Sequence, residues 1–279
     1  MKILDGKKVG EEVLYSVSKR IRKEKLKITL AIILVGNNPA SEIYVKNKIL
    51  SCEKVGITAS LHKLNNTVTE QEIITLIEKL NKDDEVHGII LQSPLPEGVD
   101  FNKCSAHISS LKDIDGLSYL NVINNYNNKK CILPCTVKGI ITLLDYYNID
   151  VIGKNICIIG RSNLVGKPLF LALENLGATV TLCHKQTKDI SRLTITSDIV
   201  IMACGVPKLL KADMIKDKCV VIDVGISRVE GKIVGDCDFE NIKSKCDYIT
   251  PVPGGVGPMT VASVIENTLL CYERINSNG

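Results

Sequence analysis

The chain has 279 residues, 45% hydrophobic and 24% charged, with a formal net charge of +4. That length fits one large domain or two ordinary ones, and the composition excludes a disordered or fibrous chain. Lysines are interleaved with acids rather than clustered, which argues against a nucleic-acid partner, while the mild positive charge suits an anionic small molecule.

Helix-period and strand-like segments alternate from the start. Residues 10–26 carry Val13, Val17 and Ile21 at helical spacing and predict a first helix. "ITLAIILVG" (28–36) reads as a buried strand ended by "NNPAS". A helix follows over 40–55, then a second strand in "GITASLHKL". "TEQEIITLIEKLN" is a helix opened by a capping box, Thr69 with Glu72. "HGIILQSPLP" is a third strand running into a Pro-rich loop. Residues 100–135 are irregular and rich in Asn, Lys and Ser, as expected of loops with a short helix near a domain boundary.

After "PCTVKG" a helix over 140–147 leads into a second alternating set. Its strands are "NICIIG", "TVTLCH", "DIVIMACG", "CVVIDVG" and "DYITPVP". The tail, 258–275, reads as one amphipathic helix. Repeated β-α-β order predicts an α/β protein with mostly parallel sheets covered by helices.

No apolar run approaches the roughly 20 residues that a membrane span needs. The opening "MKILDGKKVGEEV" lacks the apolar core of a signal peptide. A cytoplasmic protein without a membrane partner is therefore expected. Of the eleven cysteines, Cys157, Cys183, Cys204 and Cys219 fall in apolar runs, as small core side chains do in a reducing compartment. Cys131 and Cys135 have a spacing that zinc sites use, but no second Cys/His pair follows, so no metal is expected.

The stretch "ICIIGRSNLVGKPLF" (156–170) places a strand, a glycine-bearing turn and a helix in the order a dinucleotide site requires. Gly160 allows the sharp turn. Ser162 stands where a second glycine is usual and can donate its hydroxyl to a phosphate. Gly166 lets the helix start close to the sheet, its N-terminus facing the pyrophosphate, and Pro168 suits the first turn. NAD sites usually place an acid at the end of the next strand, for the ribose 2′-hydroxyl. Here that strand ends in His184 and Lys185, and Arg161 lies in the turn itself. These groups suit a 2′-phosphate, so NADP is the expected cofactor.

"GRSNLVGKP" together with "PVPGGVGPMT" (251–260) resembles the bifunctional methylenetetrahydrofolate dehydrogenase/methenyltetrahydrofolate cyclohydrolase family. "NNPAS", "YVKNK", "QSPLP", "KDIDG" and "PCTVKG" fall in the family's order, so the likeness covers nearly the whole chain. Two loop positions depart from it: Val137 and Ile123 stand where the family usually has proline and glycine. The resemblance implies an N-terminal folate-binding α/β domain (1–136 with 259–279) and a Rossmann-like NADP-binding domain (137–258), with a cleft between them. It also implies a homodimer and tetrahydrofolate derivatives as substrates.

Tyr44 and Lys48 are four apart on the second helix and so share a face; that helix is expected to bury Ile43, Ile49 and Leu50. A lysine aimed into a closed pocket loses hydration and becomes usable as a proton donor or acceptor near neutral pH. The resemblance makes Lys48 the central catalytic residue, with Tyr44, Gln92 and Asp115 around it. Gln92 ends a strand, where ligands gather in parallel α/β folds, and its neutral amide can orient an amine. Pro94, Leu95 and Pro96 would form an apolar wall for a pterin. Asp115, preferred over Asp113 by the family pattern, would hold the pterin's donor edge. The resemblance adds Leu91, Ser93, Gly254, Gly255 and Pro258 on the substrate side, and Gly205, Ile226 and Thr260 on the cofactor side. Three rival readings are a relative with one activity only, a non-catalytic NADP-binding module, and a shikimate-type dehydrogenase of the same two-domain plan.

Overall fold

Runs rich in Ile, Leu and Val between polar turns become the strands, and the 3.6-period segments between them become the helices. The structure is a computed structural model and describes residues 1–277. The chain opens with β1 (Lys2–Ile3), α1 (Gly6–Glu24), β2 (Thr29–Val35), α2 (Pro39–Val55) and β3 (Thr58–Leu64). Next come α3 (Glu70–Lys82), β4 (Gly88–Leu91), α4 (Phe101–Ser105), α5 (Tyr119–Tyr126) and α6 (Cys135–Tyr146). The second half runs β5 (Asn155–Ile159), α7 (Gly166–Asn175), β6 (Thr179–Cys183), α8 (Ser191–Thr194), β7 (Ile199–Met202) and β8 (Cys219–Asp223). It ends with β9 (Ser227–Val229), β10 (Lys232–Val234), α9 (Phe239–Ile242), β11 (Cys246–Ile249) and α10 (Val256–Ser277).

The helix that carries Tyr44 and Lys48 is fixed at both ends by local chemistry. Asn38 Oδ1 accepts the Ala40 and Ser41 N–H groups at 3.0 and 3.1 Å, and Pro39 opens the first turn. Gly56, at φ 94°, closes the helix in the left-handed conformation. The capping box read from the sequence of α3 is present, with Thr69 and Glu72 bonding each other's main chains. A cap of this kind stabilises by about 1 kcal/mol.

The chain divides into two compact units. One comprises Glu11–Cys135 and Val261–Gly279 and holds a three-stranded parallel sheet, β3-β2-β4. Its central strand is buried on both faces, hence the unbroken apolar run. Leu30, Ile32 and Leu34 join Val17 and Ile21 of α1, Val45 and Cys52 of α2, and Val264 and Ile265 of α10. Ala31, Ile33 and Val35 point the other way, onto Ile73 and Ile77 of α3.

The other unit comprises Met1–Gly10 and Thr136–Thr260. It holds a six-stranded sheet in the order β1-β11-β8-β7-β5-β6, every neighbouring pair parallel. From β5 the chain moves outward to β6 and then back across to β7. That reversal makes a switch point, the place where open α/β sheets bind ligands beyond the carboxyl ends of their strands.

Several expectations are corrected. The resemblance implies that residues 1–10 belong to the folate-binding domain; β1 instead pairs in parallel with β11, Lys2 opposite Tyr248, and so extends the six-stranded sheet. Helix α6 begins at Cys135 rather than 140, and α10 at Val256 rather than 258. Pro258 therefore lies inside a first turn, where a missing N–H costs nothing. Ile43 and Leu50 of α2 were expected to be buried, yet they are 52% and 51% exposed. The buried stripe of that helix is Ser41, Val45, Cys52 and Val55, with Ile49 packed at its edge. The hairpin β9–β10 and the short helices α8 and α9 carry too little periodicity to read from sequence.

Candidate active site and nucleotide pocket

Lys48 lies half-buried in the middle of α2, on the turn after the buried Val45. Its Nζ donates to Gln92 Oε1 at 2.9 Å. Gln92 follows the last residue of β4; its main-chain N–H bonds Ile33 O at 2.9 Å, which fixes where the side chain leaves the sheet. Its amide nitrogen donates to Ser93 O at 2.7 Å, so the oxygen is the group left facing the amine. Tyr44, one helical turn before Lys48, keeps its ring 44% exposed, open to a ligand.

The two acids of "KDIDG" separate cleanly. Asp113 is buried and serves its own loop, accepting the Ser118 N–H at 2.7 Å and the Asn121 amide at 3.0 Å. Burial pushes its carboxyl above the ordinary value, partly offset by these donors. Asp115 is half-buried, and the buried Cys135 thiol close by donates to Ile114 O at 3.4 Å. Burial, then Asp115, hold that thiol well above the ordinary value, while nearby Lys48 pulls the other way. Cys135 thus feels the charges of both Asp115 and Lys48. Asn267 of α10 locks the same place, donating to Ile114 O and Leu133 O at 2.9 Å each and to Cys135 Sγ at 3.6 Å.

The sequence alone presents Cys135 only as half of a zinc-like spacing and does not reveal its place in this cluster. The available signal was its position beside "TVKG", in the stretch that follows the Asp115 loop. Leu91 was expected on the substrate side, but its side chain is 3% exposed and packs in the core with Ile73 and Ile77. Only its main chain remains for a ligand. Ser93 and Pro94 are exposed, whereas Leu95 packs against that same core and does not extend a free apolar wall.

The nucleotide side is built from the turn after β5. Gly160 sits at φ 123°, and a Cβ there would run into Ala203 O; a Cβ on Gly166 would run into Gly160 O. Both glycines let main chain approach main chain, the sort of cradle a phosphate fills. Ser162 Oγ accepts the Val165 N–H at 3.2 Å, which leaves its proton to donate. Gly160, Arg161, Ser162, His184 and Lys185 line a pocket of about 1010 Å³ at the ends of β5, β6 and β7.

Gln186, not singled out from the sequence, also lines it. Its Oε1 lies 2.8 Å from His184 Nδ1 and 3.5 Å from Arg161 Nη2, drawing the imidazole and the guanidinium together. Asp189 is the acid at the rim, and its Oδ1 is occupied by the Ser191 hydroxyl. Gly205, Ile226 and Thr260 are not among the pocket's walls. Gly205 lies in the turn after β7, and Ile226 is exposed beyond β8. Thr260 Oγ1 lies 3.3 Å from Thr136 Oγ1. Gly254 has φ 108°, and its carbonyl accepts the Lys7 N–H at 3.1 Å; Gly255 O packs directly on Gly6.

The sequence matches the tetrahydrofolate dehydrogenase/cyclohydrolase catalytic domain over residues 4–115 and the NAD(P)-binding domain of the same family over 134–276. The bifunctional protein FolD of Mycoplasma mycoides is 48% identical, covering 98% of this chain and 97% of that protein. Among solved structures, the bifunctional FolD methylenetetrahydrofolate dehydrogenase/cyclohydrolase of Campylobacter jejuni is 45% identical over 99% of both chains, with a TM-score of 0.96. The Trypanosoma brucei methylenetetrahydrofolate dehydrogenase-cyclohydrolase, solved with NADP cofactor and an inhibitor, is 32% identical over 98% of this chain and 97% of that one, with a TM-score of 0.92. With two domain matches in sequence order and relatives of this identity along its whole length, the chain belongs to the tetrahydrofolate dehydrogenase/cyclohydrolase family.

Proposed function

We propose that the chain oxidises 5,10-methylenetetrahydrofolate with NADP⁺ and hydrolyses the 5,10-methenyl product to 10-formyltetrahydrofolate. The observation that carries the reading is the 2.9 Å contact of Lys48 with Gln92, with Asp115 and Lys48 both near enough to bias the Cys135 thiol, in a chain of this family.

NADP⁺ bound in the nucleotide pocket would supply the acceptor for the hydride of the methylene carbon. The residues present fit it: the cradle at Gly160 and Gly166 takes phosphate, and Arg161, His184 and Lys185 match a 2′-phosphate. The Gly254–Pro258 stretch and Thr260 complete the proposed ligand-binding set.

On the folate side, Asp115 holds the pterin's donor edge through paired hydrogen bonds, and the Tyr44 ring packs on it. Hydrolysis begins with water adding to the methenyl carbon. The new hydroxyl loses its proton, the bond from that carbon to N5 opens, and N5 takes up a proton. Lys48 manages these proton transfers and the changing charge. Gln92 orients the amine through a neutral acceptor, which leaves it free to exchange protons rather than locked in an ion pair.

A homodimer acting in the cytoplasm, without nucleic-acid or membrane partners, belongs to the same reading. Among the described residues no helix is long and apolar enough to cross a membrane. The decisive experiment compares NADP⁺ with NAD⁺ on methylenetetrahydrofolate, following the methenyl product and its hydrolysis by absorbance. Hydride transfer to NADP⁺ followed by loss of the methenyl band is the expected course. Absence of either step refutes that half of the assignment.

A further inference from the structure

Two aspartates and two glycines interlock beyond β8. Asp223, the last residue of β8, is 3% exposed and Asp236 is fully buried. Asp223 Oδ1 accepts the Gly225 N–H at 3.1 Å and the Asp236 N–H at 3.0 Å, and its Oδ2 accepts the Cys237 N–H at 2.8 Å. Asp223 therefore fixes the main chain that carries Asp236. Asp236 Oδ2 in turn accepts the N–H groups of Cys204 and Gly205 at 2.9 Å each, and the Cys204 thiol at 3.3 Å. Its Oδ1 has no hydrogen-bond partner among the described residues.

The packing leaves no slack. A Cβ on Gly225 would overlap the Asp236 carboxyl, and one on Gly235 would overlap that of Asp223. The Asp236 segment is held from a second side as well: Leu210 N–H bonds Asp236 O at 3.1 Å and Lys208 N–H bonds Gly235 O at 3.2 Å. A buried carboxylate is costly. Here its gain is to grip one turn, 204–205, by two charge-assisted main-chain bonds. That turn leaves β7 at the switch point, and Cys204 and Val206 are walls of the nucleotide pocket.

We propose that Asp236 is a positioning residue for the dinucleotide: it holds the 204–206 wall in the shape that receives the cofactor, and Asp223 holds Asp236. The proposal rests on the assignment of that pocket to NADP. It separates the two activities, because hydrolysis of the methenyl compound consumes no dinucleotide.

The test measures NADP⁺ binding by calorimetry alongside both rates in Asp236→Ala and Asp236→Asn. In Asp236→Ala, loss of the two bonds is expected to raise Kd and KM for NADP⁺ about tenfold, with hydrolysis held within about twofold. Asp236→Asn keeps one oxygen acceptor and is expected to recover most of the affinity, which a merely space-filling role would not require. If the alanine variant does not fold, the asparagine variant carries the test through its own Kd, expected to lie between two- and fivefold above wild type by the weaker neutral bond. Unchanged NADP⁺ affinity, or equal loss of hydrolysis and dehydrogenation in a folded variant, overturns the proposal. Failure of the wild type itself to bind NADP⁺ removes the pocket assignment first, and this inference with it.

Discussion

Lys48 Nζ donates to Gln92 Oε1 at 2.9 Å, tying the middle of α2 to the end of β4. Lys48→Met keeps the length of the side chain and removes the amine. The expected result is loss of hydrolysis by about 10²-fold or more, the scale of a general acid–base group. Dehydrogenation should fall less and NADP⁺ binding should not change. Parallel assays of the two steps check this; equal loss of cofactor binding would contradict the role given to the lysine.

The cationic groups around the nucleotide pocket lead to a selectivity prediction. Arg161 is exposed at the turn and 3.5 Å from Gln186. Arg161→Ala should raise KM for NADP⁺ about tenfold, while KM for NAD⁺, which lacks the phosphate, stays near its starting value. The ratio of the two KM values is the readout, and it should shrink with added salt in the wild type as well.

Asn267 is fully buried and donates to both Ile114 O and Leu133 O at 2.9 Å. Asn267→Leu leaves two carbonyls without a donor in a dry site. The expected cost is about 2–4 kcal/mol, seen as a lower urea midpoint. A change under 0.5 kcal/mol would show that these carbonyls find other donors.

Cys135 should be chemically silent in the folded protein. Its thiol is buried and held well above the ordinary value by burial and by Asp115, and the thiolate is the reactive form. Iodoacetamide at neutral pH should label it only after denaturation, whereas the half-buried Cys131 should react sooner. Peptide mass spectrometry distinguishes the two.

Acid should weaken the Glu11–Cys135 and Val261–Gly279 unit through His87. Its Nδ1 accepts the Thr29 N–H at 3.2 Å, and its ring lies 4.9 Å from that of Tyr272. Burial, then Lys112, hold its pKa below the ordinary 6.5. Above that value both folded and unfolded chains carry a neutral ring. As pH falls through 6.5 toward the lower folded value, the unfolded chain binds the proton first and stability drops. Asp113 and Asp223, whose folded values are raised, act with the opposite sign at lower pH. Melting curves from pH 7.5 to 5.5 should therefore slope less in His87→Gln than in the wild type.

The β2 run and the capping box at Thr69 could be read directly, because burial on both faces and capping leave strong local patterns. Lys48 and Gln92 were each nameable, but their contact depends on how α2 crosses β4, which no local pattern records. The exposure of Ile43 and Leu50 was hidden for the same reason: an apolar residue in a helix signals burial only when its stripe is known. β1 offers two residues, too few for any periodicity, and gains its identity from Tyr248 and Ile249 at the far end of the chain. The service of Asp236 to Cys204 was illegible because its hydrogen bonds span more than thirty positions.

Each compact unit is built from two separate stretches of the chain, one joining Met1–Gly10 to Thr136–Thr260 and the other joining Glu11–Cys135 to Val261–Gly279. During synthesis β1 must wait for β11 to emerge, and β2 for Val264 and Ile265. Cutting the gene between the two halves would therefore not yield two self-sufficient fragments, since each would lack part of its own framework, carried on the other fragment. Dissection of this protein calls for circular permutation rather than truncation.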